Sequence, residues 1–204
     1  MWVLAYCSHR NLPSAVFSVR VNKMKVPVIL RPLHGSSITL RELSLVYWVA
    51  LIFASIMAYS FSGKPSESDP LRLFILILLS MDLAGGAIAN LCHGTRSYWR
   101  SQTRTLRLTF LVLHGIHGIG IIFVFPESVV AIVVAYCWMV GAGTFLILTN
   151  NTSALTALSL TLVGVSVAHI PSGIETIQSL LICVFLLKLV FSFSGGPSQK
   201  EESV

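Results

Sequence analysis

Charged residues are scarce in this chain. Only 11% of its 204 residues are Asp, Glu, Lys or Arg, whereas ordinary soluble domains carry about 25%. Acids are the rarest, with 8 Asp and Glu against 14 Lys and Arg, while 54% of the residues are hydrophobic. So few charges exclude an ordinary soluble domain and indicate an integral membrane protein.

Several chemical motifs are also absent. The four cysteines form no CxxC pair and no zinc-knuckle spacing, and the chain has no P-loop, no dinucleotide-binding glycine pattern and no GxSxG. No two histidines on different predicted helices lie at the same depth, so haem is not expected. Without a soluble basic fold, we expect no nucleic-acid partner. The cysteines are Cys7, Cys92, Cys137 and Cys183.

Long apolar segments occupy most of the chain. A bilayer core about 30 Å thick needs roughly 20 apolar residues per helical crossing, and six segments meet or approach that length. The sequence therefore predicts an all-α, polytopic membrane protein, a bundle of six transmembrane helices in one domain over residues 39–194. The six segments are Leu40–Phe61, Leu71–Cys92, Leu106–Phe125, Val129–Leu148, Ala154–Ile170 and Glu175–Phe193.

The two ends of the chain differ from this domain. Residues 1–38 contain basic residues, no acid and helix-interrupting prolines, which predicts a disordered basic tail. An organellar transit-like segment, or a mis-assigned start with Met24 as the true initiator, are the alternatives. Residues 195–204 are predicted to form a polar tail.

Positive charge is concentrated in two places. Residues 1–41 hold six basic residues and no acid, and the connection after the second segment holds Arg96, Arg100, Arg104 and Arg107, again without an acid. Because Lys and Arg are retained on the cytoplasmic side, both termini are predicted to be cytoplasmic. The expected location is the plasma or inner membrane, with an organellar membrane as the alternative. The expected partners are membrane lipids and further copies of the chain.

Asp82 is an acid inside the second apolar segment. A carboxylate in hydrocarbon costs about 2.5–3.5 kcal/mol on translocon-based scales, so it normally faces protein or a water-filled cavity. At 100° per residue Asp82, Gly86, Asn90 and His93 share one helical face. In the next segment His117 lies at the depth of Asp82, which predicts a hydrogen bond between them. His114 adjoins His117, and Tyr47 is expected to line the same interior.

Three functions are consistent with this polar group. The first is a carrier or binding protein for a proton or small solute, using Asp82, Asn90, His93, His114, His117 and Tyr47. The second is a membrane-embedded enzyme acting on a lipid or quinone-like substrate, in which Asp82, His114 and His117 hold a divalent metal. The third is an accessory subunit in which these contacts only fix helix packing. We favour the first, which is not enzymatic, and leave the other two open.

A second polar group is predicted at the outer rim. Glu127, His169 and Glu175 come together there by topology and could hold a metal or a headgroup. The pattern Ser172-x-x-Glu175 is also a capping box, which would account for Glu175 without a ligand. Lys188 lies near the cytoplasmic end of the last segment, where its side chain is expected to snorkel to the interface. The alternative is that it pairs with an acid in the interior of the bundle.

Overall fold

The computed structural model of the chain describes residues 23–62, 69–150, 153–170 and 175–194, which are mostly helical. In chain order the α-helices are α1 (Arg31–His34), α2 (Leu40–Ser62), α3 (Pro70–Leu91), α4 (His93–Ser101), α5 (Arg104–Leu113), α6 (Gly115–Val124), α7 (Val129–Thr149), α8 (Ala154–Ala168) and α9 (Thr176–Leu186). Helix α9 continues without a break as a π-helix, Leu187–Ser194.

Among the described residues, five helical segments are long and apolar enough to cross a membrane. The remaining apolar helix, α8, has 15 residues, a length of about 22 Å at 1.5 Å per residue, whereas a bilayer core is about 30 Å thick. The structure therefore supports a helical membrane protein, and the sixth crossing and the orientation stay predictions. The five segments are Leu40–Ser62, Pro70–Leu91, Arg104–Val124, Pro126–Thr149 and Thr176–Ser194.

The third of these segments is interrupted at His114. Helix α5 ends at Leu113 and α6 begins at Gly115, and the amide of His117 donates to the carbonyl of His114 over 3.0 Å, a bond between residues only three apart. This tightened turn separates the two halves of the crossing. The turn lies at the membrane depth at which the sequence predicts His114 and His117.

Residues 23–38 have defined structure. Strands β1 (Lys23–Lys25) and β2 (Ser37–Thr39) pair antiparallel, and α1 between them packs on α4. Trp99 Nε1 donates to the carbonyl of Pro32 over 3.0 Å, and Thr95 Oγ1 donates to that of Leu33 over 3.3 Å. Part of the predicted tail is therefore structured. Residues 1–22 and 195–204, the rest of the two predicted tails, lie outside the described residues.

The hairpin formed by β1, α1 and β2 approaches α4 closely at two glycines, Gly35 and Gly94. Gly35 has a φ of +73°, and a Cβ built on it would lie 2.0 Å from the carbonyl carbon of Gly94. Only glycine tolerates both the left-handed backbone and this approach. Helix α4 itself occupies the stretch for which the sequence predicted a connection.

Helix α2 starts with a capping box formed by Thr39 and Glu42. The amide of Thr39 donates to Glu42 Oε2 over 2.8 Å, and the amide of Glu42 donates to Thr39 Oγ1 over 3.2 Å. Two free amides of the first turn are thereby satisfied. Helix α2 then packs along α3, and the C-terminal π-helix packs against α3, α7 and α8. The polar group lies where α2, α3, α6 and the π-helix meet.

Candidate intramembrane ion-pair site

Asp82 on α3 accepts two hydrogen bonds at one carboxylate oxygen. His117 Nε2 on α6 and Lys188 Nζ on the π-helix each lie 2.5 Å from Asp82 Oδ2. The predicted hydrogen bond between Asp82 and His117 is therefore confirmed. The ammonium of Lys188 is an additional partner, and it gives the carboxylate an opposite charge in direct contact.

Lys188 does not snorkel to the interface, and that expectation is wrong. The residue is 4% exposed, and its side chain runs along α3 instead of towards the end of its own helix. A Cβ built on Gly86 would lie 2.5 Å from Lys188 Cε, so the missing side chain of Gly86 provides the space that the lysine occupies. Asn90 Nδ2 donates to the backbone carbonyl of Lys188 over 3.3 Å.

Three residues of the predicted α3 face all contact Lys188. Asp82, Gly86 and Asn90 are spaced four residues apart, which places them on one face of a helix. They meet respectively the ammonium, the stem and the carbonyl of Lys188. Lys188 is therefore fixed to α3 at both ends.

His93 does not belong to this face. Helix α3 ends at Leu91, and Cys92 has an extended backbone with φ −67° and ψ 142° before α4 begins. His93 is exposed at the start of α4. The prediction that it shares a face with Asp82 is wrong because the helix stops two residues before it.

The two histidines of the third crossing stack on each other. Their ring centroids are 4.9 Å apart, with an interplanar angle of 12°. His114 is buried, and its Nδ1 donates to the carbonyl of Phe110 over 2.7 Å, since a carbonyl can only accept. His117 Nδ1 is buried and has no hydrogen-bond partner among the described residues. His114 therefore orients the ring of His117 and does not contact Asp82 by a hydrogen bond.

An open groove of about 470 Å³ lies beside the ion pair. The side chain of Asp82 is 40% exposed, so the carboxylate faces this space as well as its two donors. Tyr47 and His34 line the groove farther along, with Tyr47 Oη 3.4 Å from His34 Nε2. Burial lowers the pKa of His34 below its ordinary value. Tyr47 thus shares the groove but pairs with His34.

The donor set does not fit a metal site. No three His, Cys, Asp or Glu side chains in the described ranges are placed to hold a metal ion. Asp82 Oδ2 accepts hydrogen bonds from the ammonium of Lys188 and from Nε2 of His117. His114 Nδ1 donates to a backbone carbonyl. The predicted set of Asp82, His114 and His117 would have to release Lys188 before it could bind a cation.

Two of the three predicted rim residues, Glu127 and Glu175, are bridged by a glutamine. The Nε2 of Gln178, which is buried, donates to Glu127 Oε1, and its Oε1 accepts from the amide of Glu175 over 3.1 Å. Glu175 is the N-cap of α9 in a capping box with Gln178, whereas the predicted partner Ser172 lies outside the described residues. His169 Nδ1 donates to its own helix, at the carbonyl of Val165 over 2.6 Å. The structure does not gather the three predicted rim residues into one group.

The site consists of one carboxylate, one ammonium and a stacked imidazole pair beside a groove. The sequence identifies the acid, the histidines and Asn90, and it gives the pairing of Lys188 with an interior acid only as the less favoured alternative. Comparisons of the chain with protein-family models, with curated proteins and with solved structures find no match.

Proposed function

We propose that this protein is a small membrane carrier or binding protein that takes up a proton, and a small solute with it, at Asp82, His117 and Lys188. The observation that carries the proposal is the carboxylate itself, which faces a groove of about 470 Å³ while it is held by two donors. Charges in transmembrane helices commonly mark ion and proton paths. A purely structural ion pair would need no adjoining space.

The proton-accepting atom in this proposal is His117 Nδ1. In the neutral ring Nε2 carries the hydrogen that Asp82 accepts, so Nδ1 keeps its lone pair. That atom has no hydrogen-bond partner within the described chain. A proton can therefore add to Nδ1 while the bond to Asp82 stays intact.

Protonation would place two cations on one carboxylate. The imidazolium of His117 and the ammonium of Lys188 share Asp82 Oδ2, and like charges in a medium of low dielectric constant repel strongly. The hold of Asp82 on Lys188 would weaken, and with it one of the anchors that fix the π-helix to α3. Proton uptake would thus favour a state in which the two helices separate.

The walls of the groove suggest the kind of solute. Val46, Ala50 and Leu78 contribute apolar side chains to it, and Asp82 and Tyr47 contribute polar groups. A small amphipathic solute with a hydrogen-bond donor would place that donor on the carboxylate and its apolar part along the wall. Such a solute competes with Lys188 for Asp82, as the proton does.

We further propose that α8 completes a sixth crossing and that both ends of the bundle domain face the cytoplasm. The starts of α2, α5 and α8 and the ends of α3 and α7 then lie on one side, together with the arginines of α4. This arrangement follows the positive-inside rule. We also propose self-association, because six short helices are few for a transport path.

The test is proton flux in liposomes that contain the purified protein and trapped pyranine. A potassium gradient with valinomycin sets the membrane potential, and the dye reports the internal pH. We expect flux above that of protein-free liposomes, loss of that excess in Asp82→Asn, and normal flux in Asp69→Asn. Asp69 is a matched control because it is an exposed N-cap at the start of α3. Equal flux in wild type and Asp82→Asn would contradict the proposal.

The second candidate function is a structural clasp in an accessory subunit. The observation that favours it is that Lys188 meets α3 at three successive residues of one face. A clasp predicts that wild type gives no flux above protein-free liposomes, while Asp82→Asn still lowers the stability of the protein. The proton flux of the wild-type protein in liposomes therefore distinguishes the two candidate functions.

A further inference from the structure

Three arginines converge on a small pocket at the end of the bundle where α3 ends and α5 begins. Arg96 and Arg100 come from α4, and Arg107 comes from α5. Asn150, at the C-terminus of α7, also lines the pocket. None of the described residues that line the pocket is an Asp or a Glu. The pocket lies apart from the carboxylate of the ion-pair site.

The positive charges of this pocket act on one another. Burial lowers the pKa of Arg100 from its ordinary value, and the charge of Arg96 lowers it further. Arg100 and Arg104 act on Arg107 as like charges. Arg107 Nε is buried and has no hydrogen-bond partner among the described residues. A buried donor without an acceptor costs free energy, and an anion in the pocket would supply that acceptor.

We infer that this pocket binds a phosphate group, either the headgroup phosphate of an anionic phospholipid or free phosphate. Arginine presents a planar fork of N–H donors that matches phosphate oxygens. The pocket also adjoins Trp99, and tryptophan is enriched at the headgroup level of membranes. Basic pockets between transmembrane helices on the cytoplasmic side bind anionic headgroups.

The size of the pocket limits the ligand. Its free space is about 20 Å³, and about 10–15 Å³ holds one water molecule. One or two phosphate oxygens can therefore enter, while the rest of the group stays at the mouth with the guanidinium groups around it. A phosphomonoester, which exposes the most charged oxygen, fits this arrangement best.

The experiment measures thermal unfolding of the full chain in dodecyl maltoside and phosphate-free buffer. The probes are dihexanoyl phosphatidic acid and inorganic phosphate, with dihexanoyl phosphatidylcholine as the lipid control. We expect phosphatidic acid, phosphate or both to raise the Tm in a saturable way. In Arg107→Gln the apparent Kd should weaken about tenfold, as expected for the loss of a charge-assisted hydrogen bond. The double variant Arg100→Gln/Arg107→Gln should weaken it further.

The matched control is Arg72→Gln, because Arg72 lies at the other end of α3 and contacts Asp69 at 3.8 Å. It should bind as wild type does. Arg107→Lys keeps the charge without the fork and should lie between wild type and Arg107→Gln, which keeps the test informative if the double variant does not fold. A response to phosphatidic acid alone assigns a lipid headgroup, and one to phosphate alone assigns a free anion. A Tm that neither probe raises, or binding unchanged in Arg107→Gln, would overturn the inference.

Discussion

Two polar regions of this molecule lie on either side of Asn90, which lines both the groove beside Asp82 and the arginine pocket. In the first region an ammonium and an imidazole both contact one carboxylate. In the second, three guanidinium groups gather, and no acid lines the pocket within the part of the chain that the structure describes. The charged groups next to Asp82 are opposite to it in sign, whereas those next to Arg107 have the same sign as Arg107.

The two regions therefore respond differently to the removal of a charge. In the ion-pair site each charge is compensated by a side chain, so removing one charge leaves its partner buried and alone. In the arginine pocket Arg100 and Arg104 act on Arg107 as like charges, so removing the charge of Arg107 relieves repulsion and costs little. The sign of the change in stability on removing a charge therefore distinguishes the two regions.

Asp82→Asn should have the largest effect. It leaves the ammonium of Lys188, whose side chain is 5% exposed, without its counter-charge, and breaking a buried pair costs about 3–5 kcal/mol. We expect a fall of that size in the free energy of unfolding, measured by denaturant titration in mild detergent. The control Asp69→Asn should change it by less than about 0.5 kcal/mol, because exposed pairs contribute little and Asn is also a good N-cap. Equal losses in both variants would contradict the account.

Removing both charges of the pair should restore part of that loss. In Asp82→Asn/Lys188→Met no ammonium is left unpaired, and an apolar side chain of similar length occupies the space beside Gly86. Replacing a buried ion pair by apolar groups is often neutral or stabilising. We expect the double variant to be more stable than Asp82→Asn by about 2 kcal/mol. Additive losses in a double-mutant cycle would show that the two residues are not coupled.

Gly86→Ala should have a smaller effect on the same region. The added Cβ would lie 2.5 Å from Lys188 Cε and 2.9 Å from Nζ, so the ammonium must move away from Asp82. We expect a loss of about 1–2 kcal/mol, typical of overpacking. The matched control is Gly141→Ala on α7, whose Cβ would meet nothing within 4 Å. That variant should keep or slightly raise stability, since Ala favours helix over Gly.

Arg107→Gln should have the smallest effect, and in the opposite direction. Arg100 and Arg104 act on Arg107 as like charges, so its neutralisation relieves repulsion. In phosphate-free buffer we expect stability to stay constant or to rise by up to about 0.5 kcal/mol. The same denaturant titration measures it. A loss as large as that of Asp82→Asn would mean that both regions hold their charges in the same way.

The sequence predicts the fold class and much of the site because those features follow from local periodicity. Apolar runs identify the helices, the Thr39–Glu42 pattern marks the start of α2, and helical spacing puts Asp82 and Asn90 on one face. Counting residues from a shared end matches His117 to Asp82, and the hydrogen bond is present.

The remaining features depend on contacts between distant segments. Lys188 lies near a helix end, so its own helix alone predicts that its side chain snorkels to the interface. In the fold, the space beside Gly86 and the carboxylate of Asp82 hold that side chain inside the bundle. The connection after α3 is polar and predicts a loop, yet it forms α4, against which the α1 hairpin packs through hydrogen bonds from Trp99 and Thr95. A lysine and an aspartate on separate apolar helices were the available signal for the ion pair.

The central claim is that the carboxylate of Asp82 carries a proton-linked activity and does more than join two helices. The most direct measurement is proton flux into pyranine-loaded liposomes that contain Asp82→Asn/Lys188→Met. This variant should recover stability while it lacks both the carboxylate and the ammonium. We expect flux above that of protein-free liposomes in wild type and no such excess in this variant, which stays folded. Flux equal to that of wild type in this variant would contradict it.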